Sequence, residues 1–379
     1  MYNEEELKDI IHKFEAQEIG DADIINLINE IVASGEQLSF PAPVYDFAST
    51  GGPSSLSTLL VPLYLFASGC NVIDLAVPGR PAGAIDVLAQ IDGYDTTIKP
   101  NIVCGSNTYF HIEAGDKIAP LDKELYQFRK KYNKVNIPNM AIASLLSKKV
   151  ACGAKIIGLD IRVAIHGNFG VNWDLCRENA IRYNRIANSY GIKSTCFLSD
   201  ANSPYQNYIG RGEALIALFN IFSGTCEKRL QEHVDYCASM AEELIAENAN
   251  VREGNAIIID IKKAFEDNLK QQGSHYDNFL KAVERVKNQS YQTIVAGQNG
   301  YIKFNLLSIR DYIVRRQMNI TNIRYPDPCG VVLLVNDGDY IHYNTPIMKT
   351  RNIPQEDCEN IFYKIIKTKM EVDCRREIV

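Results

Sequence analysis

The sequence predicts an α/β protein with a small all-helical domain, a larger α/β domain with a mostly parallel sheet, and a C-terminal β-rich lobe. Apolar residues near the N-terminus recur at helical spacing, and strand and helix patterns alternate through the middle of the chain. After Gly300, short apolar runs are separated by turn residues. Alternating strands and helices favour a parallel sheet, because parallel strands are usually joined by helices.

The N-terminal segment has the pattern of a helical pair. Apolar residues at helical spacing extend over residues 5–33, and Gly20-Asp21 interrupts them. Pro41-Ala42-Pro43 forms a linker, after which the alternation begins. Strands are predicted at 70–76, 156–163 and 193–198, and helices at 59–67, 85–91, 137–151, 175–190 and 210–222.

The C-terminal part has a different character. Turn residues such as Asn336-Asp337-Gly338 separate short apolar segments, which predicts strands at 331–335, 339–342 and 347–349. The pattern over 355–368 predicts a final helix.

Composition and charge exclude several classes of protein. The chain has 379 residues, 46% of them hydrophobic and 23% charged, as in ordinary globular proteins. A net charge of −6 argues against nucleic acid as a partner, because such binding needs a basic face. The acidic N-terminus is unlike a signal peptide, and the longest apolar runs are too short to cross a bilayer. We therefore expect a cytoplasmic protein with no membrane partner.

The cysteines do not indicate a metal site. The ten cysteines include no Cys-x-x-Cys pair and lie scattered along the chain, which argues against both a zinc site and a disulfide framework. We expect no metal and no organic cofactor.

A turn rich in hydroxyl groups, Ser49-Thr50-Gly51-Gly52, lies between two apolar runs. Adjacent glycines let backbone N–H groups approach an anion closely, and the hydroxyl groups add donors. The helix predicted next would direct its N-terminus at the same point. By itself such a turn is as consistent with no ligand as with an anion site.

Four blocks along the chain give this turn its context. They are Ser49-Thr50-Gly51-Gly52; residues 115–126 with Arg129; residues 143–149, which contain Ser144 and Lys148; and residues 198–202 followed by 210–214. In order and approximate spacing, these blocks resemble the thymidine phosphorylase and pyrimidine-nucleoside phosphorylase family. The resemblance extends over nearly the whole chain.

The resemblance implies an organisation into three units. Residues 1–40 and 122–152 correspond to the family's helical base-binding domain, and residues 41–121 and 153–300 to its phosphate-binding α/β domain. Residues 301–379 correspond to a C-terminal α+β lobe. The family's N-terminal helices often form a dimer contact, but this chain has about two where the family has several, so a homodimer rests on the resemblance alone.

The resemblance also implies residue roles. The family's base-binding Arg, Ser and Lys fall on Arg129, Ser144 and Lys148, and two cations there would stabilise the negative charge that develops on a departing pyrimidine. Ser144 and Lys148 are four apart on a predicted helix and therefore share a face. Without the resemblance, Arg129 and Lys148 would be read as solvated surface charges.

The phosphate end departs from the family pattern. Phe47 and Ala48 replace the family's Lys and His, so a charged phosphate ligand and the proposed proton donor are both missing. The family's glycine-rich segment corresponds to a shortened 77–84 that lacks both phosphate-binding hydroxyl groups. The remaining candidate phosphate ligands are Ser49, Thr50, Gly51, Gly52, either Ser57 or Thr58, and Arg80, which would restore a positive charge.

Another candidate is His166, because histidine is the usual acid or base near neutral pH, although an isolated loop histidine is more often incidental. Three functions stay open. The first is phosphorolysis of a pyrimidine nucleoside, with inorganic phosphate as co-substrate. The second is the same cleft used for nucleoside hydrolysis or for a phosphorylated substrate. The third is non-catalytic binding of a pyrimidine nucleoside or nucleotide.

Overall fold

The computed structural model describes residues 3–16, 18–79, 82–97, 108–132, 134, 136–165, 167–246, 260–359, 361–369 and 372–379. Two of the sequence candidates, Arg80 and His166, lie outside the described residues. None of the described helices is long and apolar enough to traverse a bilayer.

The centre of the molecule is a mostly parallel six-stranded sheet, as predicted. Its strands are β1 (Val44–Ser49), β2 (Asn71–Ala76), β3 (Tyr109–Glu113), β4 (Ile156–Val163), β5 (Lys193–Asp200) and β13 (Arg376–Ile378). They lie in the order β13-β5-β4-β1-β2-β3, and only β13 is antiparallel to its neighbour. Every residue of β4 is buried, as in a sheet that is covered on both faces.

Helices cover the sheet and extend beyond it. They are α3 (Ser57–Ala67), α4 (Ala84–Leu88), α7 (Trp173–Ser189), α8 (Arg211–Ser223), α9 (Lys228–Ala246), α10 (Ile261–Gln271) and α11 (Tyr276–Lys287). On one face, α3 packs against α9 and α10, and on the other, α7 packs against β5. The predicted helix at 85–91 is confirmed only as the short α4.

A helical layer is formed by two segments that are far apart in sequence. Helices α1 (Glu4–Ala16) and α2 (Asp21–Ala33) pack against α5 (Pro120–Lys131) and α6 (Pro138–Ala151). Their buried residues form one hydrophobic core with a face of the central sheet, which includes Leu27, Leu146 and Leu159. The helical layer is therefore fixed to the sheet through a shared core. The boundaries of the three predicted domains stay a prediction.

The C-terminal lobe contains two small sheets. Its elements are β6 (Tyr208–Ile209), β7 (Tyr291–Val295), β8 (Gly300–Phe304), α12 (Leu306–Met318), β9 (Gly330–Leu333), β10 (Tyr340–Ile341), β11 (Pro346–Arg351) and β12 (Tyr363–Ile366). One sheet has the order β6-β9-β11-β7, and the other β10-β8-β12. The predicted β-rich character after Gly300 is confirmed.

The prediction of a final helix at 355–368 is wrong. Only Gln355–Asp357 forms a single 3₁₀ turn, and Tyr363–Ile366 is strand β12, which pairs antiparallel with β8 so that Tyr363 lies opposite Phe304. Tyr363 and its neighbours are aromatic and β-branched, and an available sheet edge outweighs the weak helical spacing. The sequence reading also missed β13, which completes an edge of the central sheet.

Candidate active site

A cleft of about 520 Å³ opens where β1, β2 and β4 end. Ser49 and Ala76 are the last residues of β1 and β2, and Arg162 is the last but one of β4. Helices α5 and α6 face these strand ends across the cleft. The carboxyl ends of parallel strands are the usual ligand position in open α/β sheets, because the loops there are free to vary.

The Gly-Gly turn forms one wall of the cleft. Gly51 has a φ of 96°, a left-handed conformation that glycine adopts without strain. The Gly51 N–H donates to Ser49 Oγ at 3.1 Å, and the Thr50 N–H donates to the Asp160 carbonyl at 2.9 Å. These bonds hold the turn against β4, and Gly52 lines the cleft beside it.

Helix α3 starts at Ser57, a short distance after the turn, and His233 supports Leu56, the residue that precedes the helix. The Leu56 N–H donates to His233 Nε2 at 2.9 Å. Burial lowers the pKa of His233 to about 3, so the ring is neutral and able to accept at neutral pH. Ser57 is the first residue of α3, and both Ser57 and Thr58 line the cleft.

Arg129, Ser144 and Lys148 form the facing wall. Arg129 is on α5, and the other two are on α6. The Lys148 ammonium contacts both the carbonyl and the hydroxyl group of Ser144, the latter at 3.0 Å. Arg129 and Lys148 are only 3% and 5% exposed, so the interpretation as solvated surface charges is wrong for this structure.

Asp122 is a buried partner of Lys148 that the sequence reading did not single out. Its Oδ2 lies 2.7 Å from Lys148 Nζ. Burial lowers the pKa of Lys148, and the nearby Asp122 carboxylate acts in the opposite direction. Asp122 lies in the block 115–126, which indicates a position near the site, but the sequence does not show which basic group it contacts.

Arg162 is a second functional candidate that sequence reasoning missed. It lines the cleft on β4, is 2% exposed, and donates to Asp160 and, at 3.0 Å, to Ser57 Oγ. Its guanidinium group also lies over the Tyr205 ring, 4.4 Å from the centroid. Its position in a buried strand suggested core packing and gave no sign of a site.

Asp74 lines the cleft, and a second buried carboxyl group, that of Asp46, lies near it. Asp46 pairs with Lys149 at 2.7 Å, and Asp74 lies nearby with His111 Nε2 at 3.5 Å. Burial, with the charge of Asp46 as a smaller contribution, raises the pKa of Asp74 to about 8. Burial lowers the pKa of His111 to about 3, so at neutral pH Asp74 is largely protonated and His111 is neutral.

Helix α12 of the C-terminal lobe contributes a third wall. Leu307, Arg310 and Asp311 line the cleft. The sequence reading did not place this segment at the site, because the fold brings it there from far along the chain.

The structure therefore brings the described sequence candidates into one cleft. Its lining includes Ser49, Thr50, Gly51, Gly52, Ser57, Thr58, Arg129, Ser144 and Lys148. The two predicted cations face the same cavity as the Gly-Gly turn, and their roles stay predictions. Within the described ranges, no group of three His, Cys, Asp or Glu side chains is arranged to hold a metal ion.

Comparison with known proteins confirms the resemblance. No protein-family model matches the chain. The chain is 25% identical over 367 residues to a pyrimidine-nucleoside phosphorylase of Staphylococcus epidermidis, a match that covers 92% of this chain and 84% of that protein. It is 26% identical over 368 residues to the pyrimidine-nucleoside phosphorylase of Staphylococcus aureus, with the same coverage.

The solved structures that match part of this chain include two anthranilate phosphoribosyltransferases. Anthranilate phosphoribosyltransferase from Thermus thermophilus has a TM-score of 0.46 and 13% identity, and the match covers 76% of this chain and 96% of that one. The enzyme from Saccharomyces cerevisiae, solved with PRPP and Mg, has a TM-score of 0.47 and 14% identity, with 70% and 80% coverage.

Proposed function

We propose that this protein is a pentosyl-transferring enzyme that cleaves the N-glycosidic bond of a pyrimidine nucleoside with phosphate, giving the free base and a pentose 1-phosphate. The observation that supports it most is that two buried cations, Arg129 and Lys148, line the same cleft as the Gly-Gly turn. The resemblance to pyrimidine-nucleoside phosphorylases over nearly the whole chain supports the same chemistry.

The proposed role of Arg129 and Lys148 is to stabilise the departing base. Cleavage leaves negative charge on the pyrimidine ring nitrogen and its carbonyl oxygens. Fixed cations beside these oxygens favour the transition state over the bound nucleoside, because the charge develops only as the bond breaks. In a site that is largely shielded from water, this interaction is stronger than at a surface.

Asp122 and Ser144 would hold Lys148 in place. Both contact its ammonium group, so little reorganisation is needed when charge appears on the base. Because Ser144 Oγ accepts from Lys148, its own hydroxyl proton is directed elsewhere and would donate to a base carbonyl.

The Gly-Gly turn and the start of α3 would hold the phosphate. Backbone N–H groups at a helix N-terminus and the neighbouring hydroxyl groups suit an anion. The phosphate oxygen would attack the anomeric carbon as the base leaves, so the C–N bond breaks while a C–O bond forms. The proposal needs no metal or organic cofactor, and the cytoplasmic location and the homodimer remain predictions.

A second candidate function follows from Phe47. Its ring is fully buried where the family has a phosphate-binding lysine. Without this lysine the site would bind free phosphate less tightly. Water would then be the nucleophile, or the substrate would carry its own phosphoryl group.

Release of free base from purified protein separates phosphorolysis, hydrolysis and non-catalytic binding. Uridine and thymidine are incubated with and without phosphate, and the base is measured by chromatography. Release that depends on phosphate is the expected result. Release without phosphate supports hydrolysis, whereas nucleoside binding without release supports a non-catalytic protein and contradicts the proposal.

The Lys148→Gln variant tests the role of the cation. We expect kcat/KM to fall about 100-fold or more, because loss of one donor to a developing oxyanion typically has this effect. Lys281→Gln, which changes an exposed lysine on α11, is the control and should leave kcat/KM unchanged. Equal rates in Lys148→Gln and the unmodified protein would contradict this role.

A further inference from the structure

Arg162 is a buried cation at the foot of the Gly-Gly turn, and no step described above uses it. Its backbone N–H donates to Thr50 Oγ1 at 2.9 Å, and Nη2 donates to Ser57 Oγ at 3.0 Å. Arg162 thus contacts both the turn and the first residue of α3. It lines the cleft although it is only 2% exposed.

Two nitrogens of this guanidinium group have no hydrogen-bond partner among the described residues. Nε and Nη1 are buried and make no hydrogen bond to any residue that the structure describes. Asp160 accepts from Nη2, and Tyr205 stacks on the guanidinium plane. These contacts fix the orientation of the group. Buried donors without partners are destabilising, so they indicate an acceptor that is absent from the protein itself.

Gly52 lies next to one of these two nitrogens, Nη1. Nη1 lies 3.5 Å from the position that the Cβ of an alanine at residue 52 would occupy. An alanine side chain at residue 52 would therefore contact Nη1, and the glycine leaves this position next to the donor without a side chain. Nη1 is a charged N–H donor, and charged donors of this kind form short, strong hydrogen bonds to phosphoryl oxygens.

The three neighbouring hydroxyl groups each accept a hydrogen bond from the protein. Ser49 Oγ accepts from the Gly51 N–H, Thr50 Oγ1 from the Arg162 N–H, and Ser57 Oγ from Arg162 Nη2. Among the described residues no acceptor is recorded for the hydroxyl protons of these three side chains. Each oxygen is an acceptor toward the protein and keeps its proton for a ligand.

We propose that Arg162 is the charged ligand of a phosphoryl oxyanion bound between Gly52 and Ser57. Phe47 on β1 stands where the family has a lysine, and Arg162 on the neighbouring strand β4 supplies a positive charge in its place. The inference rests on the proposed function for its biological meaning, but it concerns binding and is tested without turnover. The shared chemistry is a tetrahedral phosphoryl group, either free phosphate or the phosphate of a sugar phosphate.

Binding of inorganic phosphate and of ribose 5-phosphate to the full chain is measured by calorimetry. The variants are Arg162→Gln, which removes the charge, and Gly52→Ala, which places a methyl group against Nη1 and keeps the Arg162–Asp160 pair. If Arg162→Gln fails to fold, Gly52→Ala still tests the site. Gly297→Ala is the control, because an added Cβ at this exposed glycine meets nothing within 4 Å.

We expect affinity for at least one of the two probes to fall tenfold or more in Gly52→Ala and in folded Arg162→Gln, and to stay unchanged in Gly297→Ala. Binding of inorganic phosphate assigns the site to a free co-substrate, and binding of ribose 5-phosphate alone assigns it to a phosphorylated substrate. The inference is overturned if neither probe binds the unmodified protein, or if Gly52→Ala binds as tightly. Base release then still decides the proposed function separately.

Discussion

Asp74 is a buried acid at the base of the cleft, and its protonation is coupled to folding. Asp46, Lys149 and His111 face it, and its pKa is raised to about 8 from a usual value of 3.8, first by burial and then by the charge of Asp46. Below pH 4 the carboxyl group is protonated in both the folded and the unfolded chain. Between pH 4 and 8 the folded chain keeps a proton that the unfolded chain loses, so stability falls as the pH rises.

The Asp74→Asn variant tests this coupling. An amide cannot ionise, so we expect the variant to be more stable than the unmodified protein at pH 7, with a difference that disappears toward pH 4. The slope should differ by at most about 1.4 kcal/mol per pH unit, the value for one proton. Urea unfolding at several pH values measures it. Parallel stability curves for the two proteins would show that Asp74 is ionised in the folded state.

At the scale of the element, Phe47 is an apolar residue of β1 that packs closely against the neighbouring strands. Its ring packs 6.4 Å from that of Phe197 on β5, and it lies against Gly158 on β4. A Cβ at residue 158 would come within 2.5 Å of the Phe47 ring. The glycine and the aromatic ring therefore fit each other, and the ring belongs to a buried hydrophobic cluster.

Phe47→Lys, which restores the residue type of the family, is expected to destabilise the protein by about 3–5 kcal/mol. The new ammonium group would be buried without a carboxylate partner. Thermal unfolding measures the change, and Phe47→Leu is the apolar control. A stable Phe47→Lys protein with improved phosphate affinity would instead show that the strand tolerates a cation at this position.

At the scale of the whole molecule, a buried ion cluster joins the C-terminal lobe to the central domain. Arg351 on β11 donates to Glu213 on α8 at 2.8 and 3.0 Å, and its Nη2 lies 2.8 Å from Asp327. Gly330 makes this approach possible, because a Cβ there would overlap the Glu213 carboxylate. The lobe that carries α12, and with it the third wall of the cleft, is held by this cluster.

Arg351→Met should destabilise the protein by about 3–5 kcal/mol, because it leaves the fully buried Glu213 carboxylate and the mostly buried Asp327 carboxylate without their cation. Arg315→Met, at an exposed position on α12, is the control and should change stability by less than about 0.5 kcal/mol. Chemical unfolding compares the two variants. If Arg351→Met unfolds like the control, the cluster does not hold the lobe in place.

Much of the fold follows from local sequence. The run at 156–163 is mostly apolar, with Asp160 and Arg162 as its charged residues, and it forms strand β4 with these bounds, because a strand covered on both faces favours apolar residues. The helix predicted at 137–151 is α6, since Pro138 and Gly153 mark its ends. Tyr363 shows the limit of this reading, because its strand exists only through pairing with β8.

The sequence by itself determined strands β2, β4 and β5, several of the helices that cover them, and nine cleft-lining residues, because periodicity, turn chemistry and family motifs are properties of neighbouring positions. Only the tertiary structure decided that Asp122 meets Lys148, that Arg162 reaches the Gly-Gly turn, and that α12 closes the cleft. These contacts join residues from separate elements. Their energies depend on burial and on the direction of each donor, and both are set only when the sheets and helices pack together.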